Sequence, residues 1–547
     1  MDKRLTKDEL VFLPLGGAGE IGMNLNCYGF GPPEERRWII VDCGVMFGRE
    51  SATPGVDVIM PDARFLVENR QDVIAIVLTH GHEDHLGAVA HVWPDLRCPV
   101  YATPFTARLL QDKIVEAGLE DALRVRIVPL GGKLRLAPFE LEFITITHSI
   151  PEPNALVIRT PLGNIVHTGD WKLDPDPLVG EPTDDRALRK LGEEGVLAMI
   201  CDSTNALVLG HSGSEAEVER ALNGLIKGLS GRVLVTCFAS NVARLQSIAH
   251  AARDSGREVV LVGRSMHRIV RAAQDTGYLR DFPRVLDEED ATQLHADNVL
   301  YLCTGSQGEA RAALSRIAEG NNPNIQLSEG DSVIFSSRII PGNEREIFEL
   351  QNKLAALGVA VLTERDHFVH VSGHPGREEL AEMYRWVRPR IAVPVHGEMR
   401  HMMEHARLTS ELQVPQTAMV VNGQMLRLAP GRAEIIDEAP SGRVHLDGRL
   451  LVNEDEGYAR SRRALGKAGF IGITLVLKKS GRLAAEPVLH MEGIPDAVLG
   501  PVATAVTRAV EARRGGDLNE QVRLAARRAA QDVWGKKPIV RVEMVEV

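Results

Sequence analysis

His80-Gly81-His82-Glu83-Asp84-His85 sets several metal-capable side chains within six residues. The segment follows the apolar run Val73–Leu78, which reads as a buried strand, so it occupies a strand-end loop. Two histidines at i and i+2 point the same way from an extended loop. Asp84 and His85 then face a neighbouring position as the chain turns. One short segment can therefore serve two metals lying side by side. Imidazole and carboxylate donors without thiolate suit catalytic zinc or manganese better than a structural zinc. The plain alternative is a polar surface loop, and three histidines in this pattern behind a buried strand argue against it.

One segment cannot complete two coordination shells, so further ligands are expected at other strand ends. His148 follows the run Phe143–Thr147, Asp170 follows Ile165–Gly169, and His396 follows Ile391–Val395. Each, taken alone, is either a ligand or an ordinary loop residue. His167 falls inside the strand-like run before Asp170 and is expected in the core or in support of the site.

The chain around these loops has 547 residues, a length that suggests about three domains. Apolar residues make up 44% and aromatics 4%, so stacking on bases is local if present. The formal charge of −11 argues against a general nucleic-acid coat, though not against a basic or metal-charged groove in an acidic body. Six cysteines are scattered with no CxxC pair, which argues against a disulfide framework or a thiolate zinc site and fits a reducing cytoplasm. The first residues, Met1-Asp2-Lys3-Arg4-Leu5, lead into no apolar signal core, and no stretch reaches the ~20 apolar residues of a membrane span.

Strand-like runs over the first 200 residues include Trp38–Val41, Leu141–Thr147, Ala155–Arg159 and Ala198–Cys201. From about Ser212 a βαβ rhythm begins. Strand-like Arg232–Cys237, Glu258–Leu261, Asn298–Leu302 and Ser332–Ser336 alternate with helical stretches such as Ser214–Leu229 and Ala243–Asp254. Near Val361 the loops become His-rich again, as if one domain were interrupted and resumed. The expected boundaries are 1–211 and 363–446 for the interrupted domain, 212–362 for the insertion, 447–465 for a polar then basic linker, and 466–547 for a small α/β domain. That last part combines strands near Gly472–Lys478 and Ile539–Val545 with one long helical stretch, about Val498–Val533.

The histidine segment resembles the signature of the metallo-β-lactamase superfamily. His148, Asp170 and His396 fall in the order of its later motifs, and Asp42 in Val41-Asp42-Cys43-Gly44 matches its early aspartate. The insertion resembles the β-CASP branch. Asp202 in Cys201-Asp202-Ser203-Thr204-Asn205 is similar to that branch's acidic motif, and His374 in His370-Val371-Ser372-Gly373-His374 to its histidine motif. Gly16-Gly17-Ala18-Gly19-Glu20-Ile21-Gly22, Thr304-Gly305-Ser306-Gln307-Gly308-Glu309 and Ser372-Gly373-His374 resemble the bacterial ribonuclease J family over nearly the whole chain. The one weak match is Glu309-Ala310-Arg311, where a proline and methionine are expected after the glutamate.

The resemblance implies an αββα sandwich interrupted by a doubly wound insertion, with a small C-terminal α/β domain. It implies two divalent cations per subunit, zinc first, with manganese or magnesium as alternatives. His80, His82 and His148 would hold one, Asp84, His85 and His396 the other, and Asp170 would bridge them. Such a pair acidifies water, neutralises phosphodiester charge and fixes in-line attack. Asp42, Asp84, Asp202 and His374 are the expected catalytic side chains. His374 would contact the scissile phosphate or protonate the leaving oxygen, with Asp202 setting its tautomer and Asp42 supporting the ligands. An Asp202–His374 hydrogen bond without a catalytic role is the alternative.

His370, Ser372, Gly373, His374, Ser240, Asn241 and Arg338 are expected to bind RNA and its 5′-phosphate. Ordinary helix capping or surface charge is the alternative for Ser240 and Arg338. Lys478, Lys479, Arg513, Arg514, Arg527 and Arg528 could touch RNA backbone, though their acidic neighbours favour a solvated helix face or a subunit contact.

The implied activity is 5′→3′ exonuclease and endonuclease action on single-stranded RNA in maturation and decay. The implied assembly is a homodimer or tetramer formed through the C-terminal domain, with partners in RNA degradation. Other readings are a β-CASP nuclease acting on DNA, a non-catalytic RNA-binding scaffold, and a small-thioester hydrolase. The complete ligand set argues against the scaffold. An insertion of roughly 150 residues, together with His374, argues against the thioesterase.

Overall fold

The computed structural model describes residues 8–48, 52–512 and 515–547. The start of the chain and the pair Arg513 and Arg514 lie outside these. Two compact units emerge, Met1–Met46 with Met60–Gly442, and Phe47–Ile59 with Arg443–Val547.

The first unit is built on two sheets packed face to face. One has eight strands, in the order Glu434–Glu438, Gln424–Ala429, Glu9–Gly16, Leu25–Gly31, Arg37–Val41, Val73–Val77, Val100–Ala102, Val125–Ile127. The other has seven, in the order Lys133–Leu136, Phe139–Thr145, Asn154–Thr160, Gly163–His167, Ala198–Asp202, Ile391–Val395, Gln416–Thr417. Phe12, Tyr28, Ile39 and Val77 of the first sheet meet Phe139, Leu156, Ile200 and Val393 of the second in one dry core. Helices cover the outer faces. Asp185–Glu194 and Arg377–Val387 press Leu188, Leu380 and Tyr384 onto Val157 and Met199, and Pro104–Glu116 packs on the strands at the far edge of the first sheet. The central strands Ala198–Asp202 and Ile391–Val395 run parallel and are buried along their whole length. That double-sided burial explains why they read as unbroken apolar runs rather than alternating ones.

Residues 198–202 and 391–395 are neighbours in the sheet, yet nearly two hundred residues separate them in sequence. The intervening chain forms its own six-stranded sheet, in the order Val285–Leu286, Glu258–Val262, Val299–Cys303, Val233–Thr236, Ser332–Phe335, Ala360–Leu362. Every pairing in it is parallel, which places helices on the sheet faces and makes it the expected doubly wound insertion.

The second unit holds the three-stranded sheet Val488–Glu492, Phe470–Leu477, Ile539–Glu546. Ile471, Ile473 and Leu475 on it pack against Val502, Val506, Val522 and Ala526 of two helices. Two expectations fail here. The long helical stretch is two helices, Leu499–Glu511 and Leu518–Trp534. Gly516 sits at φ 116°, and Asp517 caps the new helix by accepting the Asn519 N–H at 2.9 Å. The expected linker 447–465 is ordered. It carries the strand Leu450–Asn453, paired with Arg443–Asp447, and most of the helix Tyr458–Ala468. Its basic run is the exposed side of that helix, and Arg462 pairs with Asp447. No described helix is long and apolar enough to cross a membrane.

Candidate metal centre

The strand Val73–Val77 ends just before the histidine segment, and the short helix Glu83–Leu86 turns Asp84 and His85 back toward it. A second loop, Asp42–Val45, grips this turn. Cys43 N–H donates to the His85 carbonyl at 2.7 Å, and Val45 N–H donates to that of Glu83 at 3.0 Å. Gly44 lies so close that an added Cβ would stand 1.7 Å from the Asp84 carbonyl oxygen. Only glycine permits that approach.

Asp170 Oδ2 is the point of convergence. It lies 3.2 Å from His85 Nε2, 3.3 Å from His396 Nε2, 3.9 Å from His148 Nε2 and 4.0 Å from His80 Nε2. Asp84 Oδ2 is 3.7 Å from both His85 Nε2 and His396 Nε2. The side chains form two overlapping groups, His80, His82, His148, Asp170 and Asp84, His85, Asp170, His396, in each of which the ligand-type atoms lie within 4.8 Å of one another. The structure thus gathers all seven expected ligands.

The proton positions on the rings decide whether these groups fit metals. Thr79 Oγ1 donates to the Asp42 carboxylate at 2.8 Å, so its contact with His80 Nδ1 at 3.0 Å makes His80 the donor. His148 Nδ1 faces the Gly373 carbonyl, His85 Nδ1 faces Asp42 Oδ2 at 2.7 Å, and His396 Nδ1 faces Asn24 Oδ1 at 3.0 Å. Each of these partners can only accept. All four rings therefore carry a proton on Nδ1 and turn Nε2 inward, where His85 Nε2 also meets the Asn24 amide nitrogen at 3.1 Å. His82 Nδ1 stands 3.1 Å from His80 Nε2 and 3.0 Å from His148 Nε2. Burial pushes the His82 pKa down to about 3, so its ring is neutral and brings at most one N–H to this meeting point of three nitrogens. Asp170 Oδ1 and His396 Nε2 are buried with no hydrogen-bond partner among the described residues. Converging lone pairs and orphaned acceptors are what a cation satisfies, and the donor set fits two.

Asp42 does not face this space. Its carboxylate accepts the Thr79 N–H and O–H and His85 Nδ1–H, so it orients ligands from behind. Its φ of 65° and the 50° of His396 are left-handed values that non-glycine residues rarely adopt. His167 lies outside both groups and bonds Tyr28 Oη through Nδ1 at 2.8 Å.

Beside the centre, His374 Nδ1 meets Asp202 Oδ2 at 2.8 Å. Burial alone would depress the His374 pKa, but Asp202 and Asp170 outweigh it and hold it up at about 9. Ser372, two residues earlier, bonds Asn205, which also bonds Arg338. Gly373 offers a carbonyl to His148, and an added Cβ would lie 2.7 Å from that ring. His370 Nδ1 is buried without a partner among the described residues, and burial with the nearby cations Arg244, Arg338 and Lys172 pushes its pKa well down.

Asn241 is committed elsewhere. It caps the helix Val242–Asp254 by accepting the Arg244 N–H and donates to Glu215. Ser240 makes no side-chain hydrogen bond to the group among the described residues. Sequence reasoning misses Asn24, Thr79 and Asn205, which bond site residues from remote or neighbouring loops. It also misses buried Arg244, which grips Glu215, Ser336 and the Val369 carbonyl before the histidine loop.

Residues 25–221 match the metallo-beta-lactamase superfamily, 230–354 match "Ribonuclease J, beta-CASP domain", and 358–418 match "Zn-dependent metallo-hydrolase RNA specificity domain". The chain is 47% identical over 555 residues to Ribonuclease J of Sinorhizobium meliloti, covering 99% of this chain and 98% of that one. Ribonuclease J of Mycobacterium tuberculosis is 37% identical, covering 99% and 98%. That of Thermus thermophilus is 36% identical, covering 98% and 91%. A solved structure described as a protein of unknown function from Enterococcus faecalis V583 superposes with a TM-score of 0.52 at 15% identity, covering 77% of this chain and 100% of that one, and shows the fold alone.

Proposed function

The chain belongs to the ribonuclease J family and is a metal-dependent hydrolytic ribonuclease; from that premise we propose that it digests single-stranded RNA 5′→3′ from 5′-monophosphate ends and also cuts internally, in RNA maturation and decay. Zinc is the proposed metal. His80, His82 and His148 would hold one ion, Asp84, His85 and His396 the other, with Asp170 between. Bound there, two divalent cations supply positive charge at the scissile phosphodiester and acidify the attacking water.

The protein's own share is orientation and proton handling. Asp42, Thr79, Asn24 and the Gly373 carbonyl keep the four Nδ1 protons in place. Asp202 keeps the His374 Nδ1 proton, turning Nε2 toward the leaving 3′-oxygen or scissile phosphate. The products are a 5′-phosphate and a 3′-hydroxyl. Ser372, Arg338, His370 and Ser240 are the proposed contacts for the terminal phosphate. The observation that carries this reading is Gly373. It lies between Ser372 and His374, and its carbonyl bonds the candidate ligand His148, so a phosphate held at Ser372 lies beside the reacting one.

The insertion 212–362 is proposed as the wall that confines RNA over the centre, and the C-terminal part 466–547 as a homodimer contact. A cytoplasmic setting accords with six free, buried cysteines. The test is digestion of 5′-labelled RNA bearing a monophosphate, triphosphate or hydroxyl, with a matched DNA strand alongside. Labelled mononucleotide released only from the monophosphate RNA is expected. Equal release from all three ends refutes the pocket, and equal cleavage of DNA refutes the RNA preference.

A further inference from the structure

Asn205 is buried behind the proposed phosphate pocket, and its amide touches three groups. Oδ1 faces Arg338 Nη1 at 3.3 Å. Nδ2 lies 2.7 Å from Ser372 Oγ and 3.0 Å from the His374 carbonyl oxygen. A guanidinium can only donate and a carbonyl can only accept, so the amide sits only this way round. Turned over, it would set NH₂ against guanidinium and oxygen against oxygen. Nδ2 therefore donates to Ser372 Oγ. The backbone N–H of His374 donates to the same oxygen at 3.1 Å.

A hydroxyl has two lone pairs and one proton. Both lone pairs of Ser372 are taken, and among the described residues its proton has no acceptor. Arg338 has no carboxylate within 4.0 Å among the described residues, although Glu364 lies near enough to feel its charge. Two donors thus stand side by side, both set by one amide.

We propose that Asn205 is a positioning residue for terminal-phosphate recognition: it fixes the Ser372 hydroxyl as an outward donor and seats the Arg338 guanidinium beside it, so that the pair takes a phosphate monoester at an RNA 5′ end. This rests on the reading of Ser372 and Arg338 given under Proposed function. Asn205→Asp is the sharp perturbation. A carboxylate of the same shape still accepts from Arg338, but it also accepts the Ser372 proton and turns that donor inward.

The readout is the ratio of kcat/KM on 5′-monophosphate RNA to that on the same RNA with a 5′-hydroxyl. Loss of a hydrogen bond to a charged group lowers this ratio by roughly 10- to 100-fold. N205D and S372A should each produce such a fall, and the double variant should fall no further than S372A. A merely structural role would slow both substrates equally and leave the ratio at the wild-type value, which overturns the inference while leaving the pocket intact. A multiplicative double variant also overturns it. A wild-type ratio near one instead overturns the pocket itself. Should N205D fail to fold, N205A removes the donor without adding charge. Its ratio is expected between wild type and S372A, and an unchanged ratio counts against the role.

Discussion

Gly373→Ala isolates the contact between the histidine loop and the metal centre. The added methyl would lie 2.7 Å from His148 Cε1 and 2.9 Å from Nδ1, where ordinary contact begins at 3.4 Å. The ring must therefore retreat by about 0.7 Å, or the loop by the same amount, and the hydrogen bond from Nδ1 to the Gly373 carbonyl is strained. Gly373 is not in the left-handed region, so alanine is conformationally acceptable there. The usual gain of ~0.4–1 kcal/mol from a stiffer unfolded chain offsets part of the clash. Stability should change little, while losing ligand orientation weakens metal binding by roughly 10- to 100-fold. Displacement on this scale at reacting groups costs up to about 100-fold in rate. Competition against a chromophoric chelator reads the affinity, single-turnover RNA cleavage reads the rate, and thermal unfolding reads the fold. Wild-type metal affinity and rate in a well-folded G373A protein would show that His148 takes no orientation from this loop.

Asp42→Asn replaces an acceptor-only group that holds His85 Nδ1–H and two Thr79 donors, so metal affinity should fall about 10- to 100-fold with secondary structure retained; unchanged affinity by chelator competition refutes its orienting role. Arg244→Met leaves the buried Glu215 carboxylate unpaired and should cost about 3–5 kcal/mol in urea unfolding, against under 1 kcal/mol if the pair is idle. Gly44→Ala cannot be accommodated against the Asp84 backbone, so it should abolish metal binding or folding, and a normal metal content would count against the described loop packing. Exhaustive chelation should stop RNA cleavage and lower Tm, with recovery of both on adding zinc or manganese; cleavage that survives chelation contradicts the metal dependence.

The histidine segment is legible because its chemistry is local: three rings and two carboxylates within six residues after one strand. His148, Asp170 and His396 were legible as strand-end residues, since strand ends meet in a sandwich of this kind. The partners that set their protons were not. His396 and Asn24 are 372 residues apart, His148 and Gly373 are 225 apart, and neither asparagine nor glycine carries a sign of such a role in its own neighbourhood. Gly373 is expected to bind phosphate, and the structure adds that its carbonyl bonds a histidine. Asn241 is expected to bind RNA, and the structure shows it capping its own helix and donating to Glu215. The 447–465 segment looked like a linker because its helix is short and strongly charged, with Ala459 its only buried residue.

Anomalous-difference diffraction at the zinc edge, on crystals of the zinc-loaded protein, tests the two-metal centre most directly. Two peaks are expected, one among His80, His82 and His148 and one among Asp84, His85 and His396, with Asp170 touching both. A single peak, or two with Asp170 bound to neither, would contradict the proposed centre.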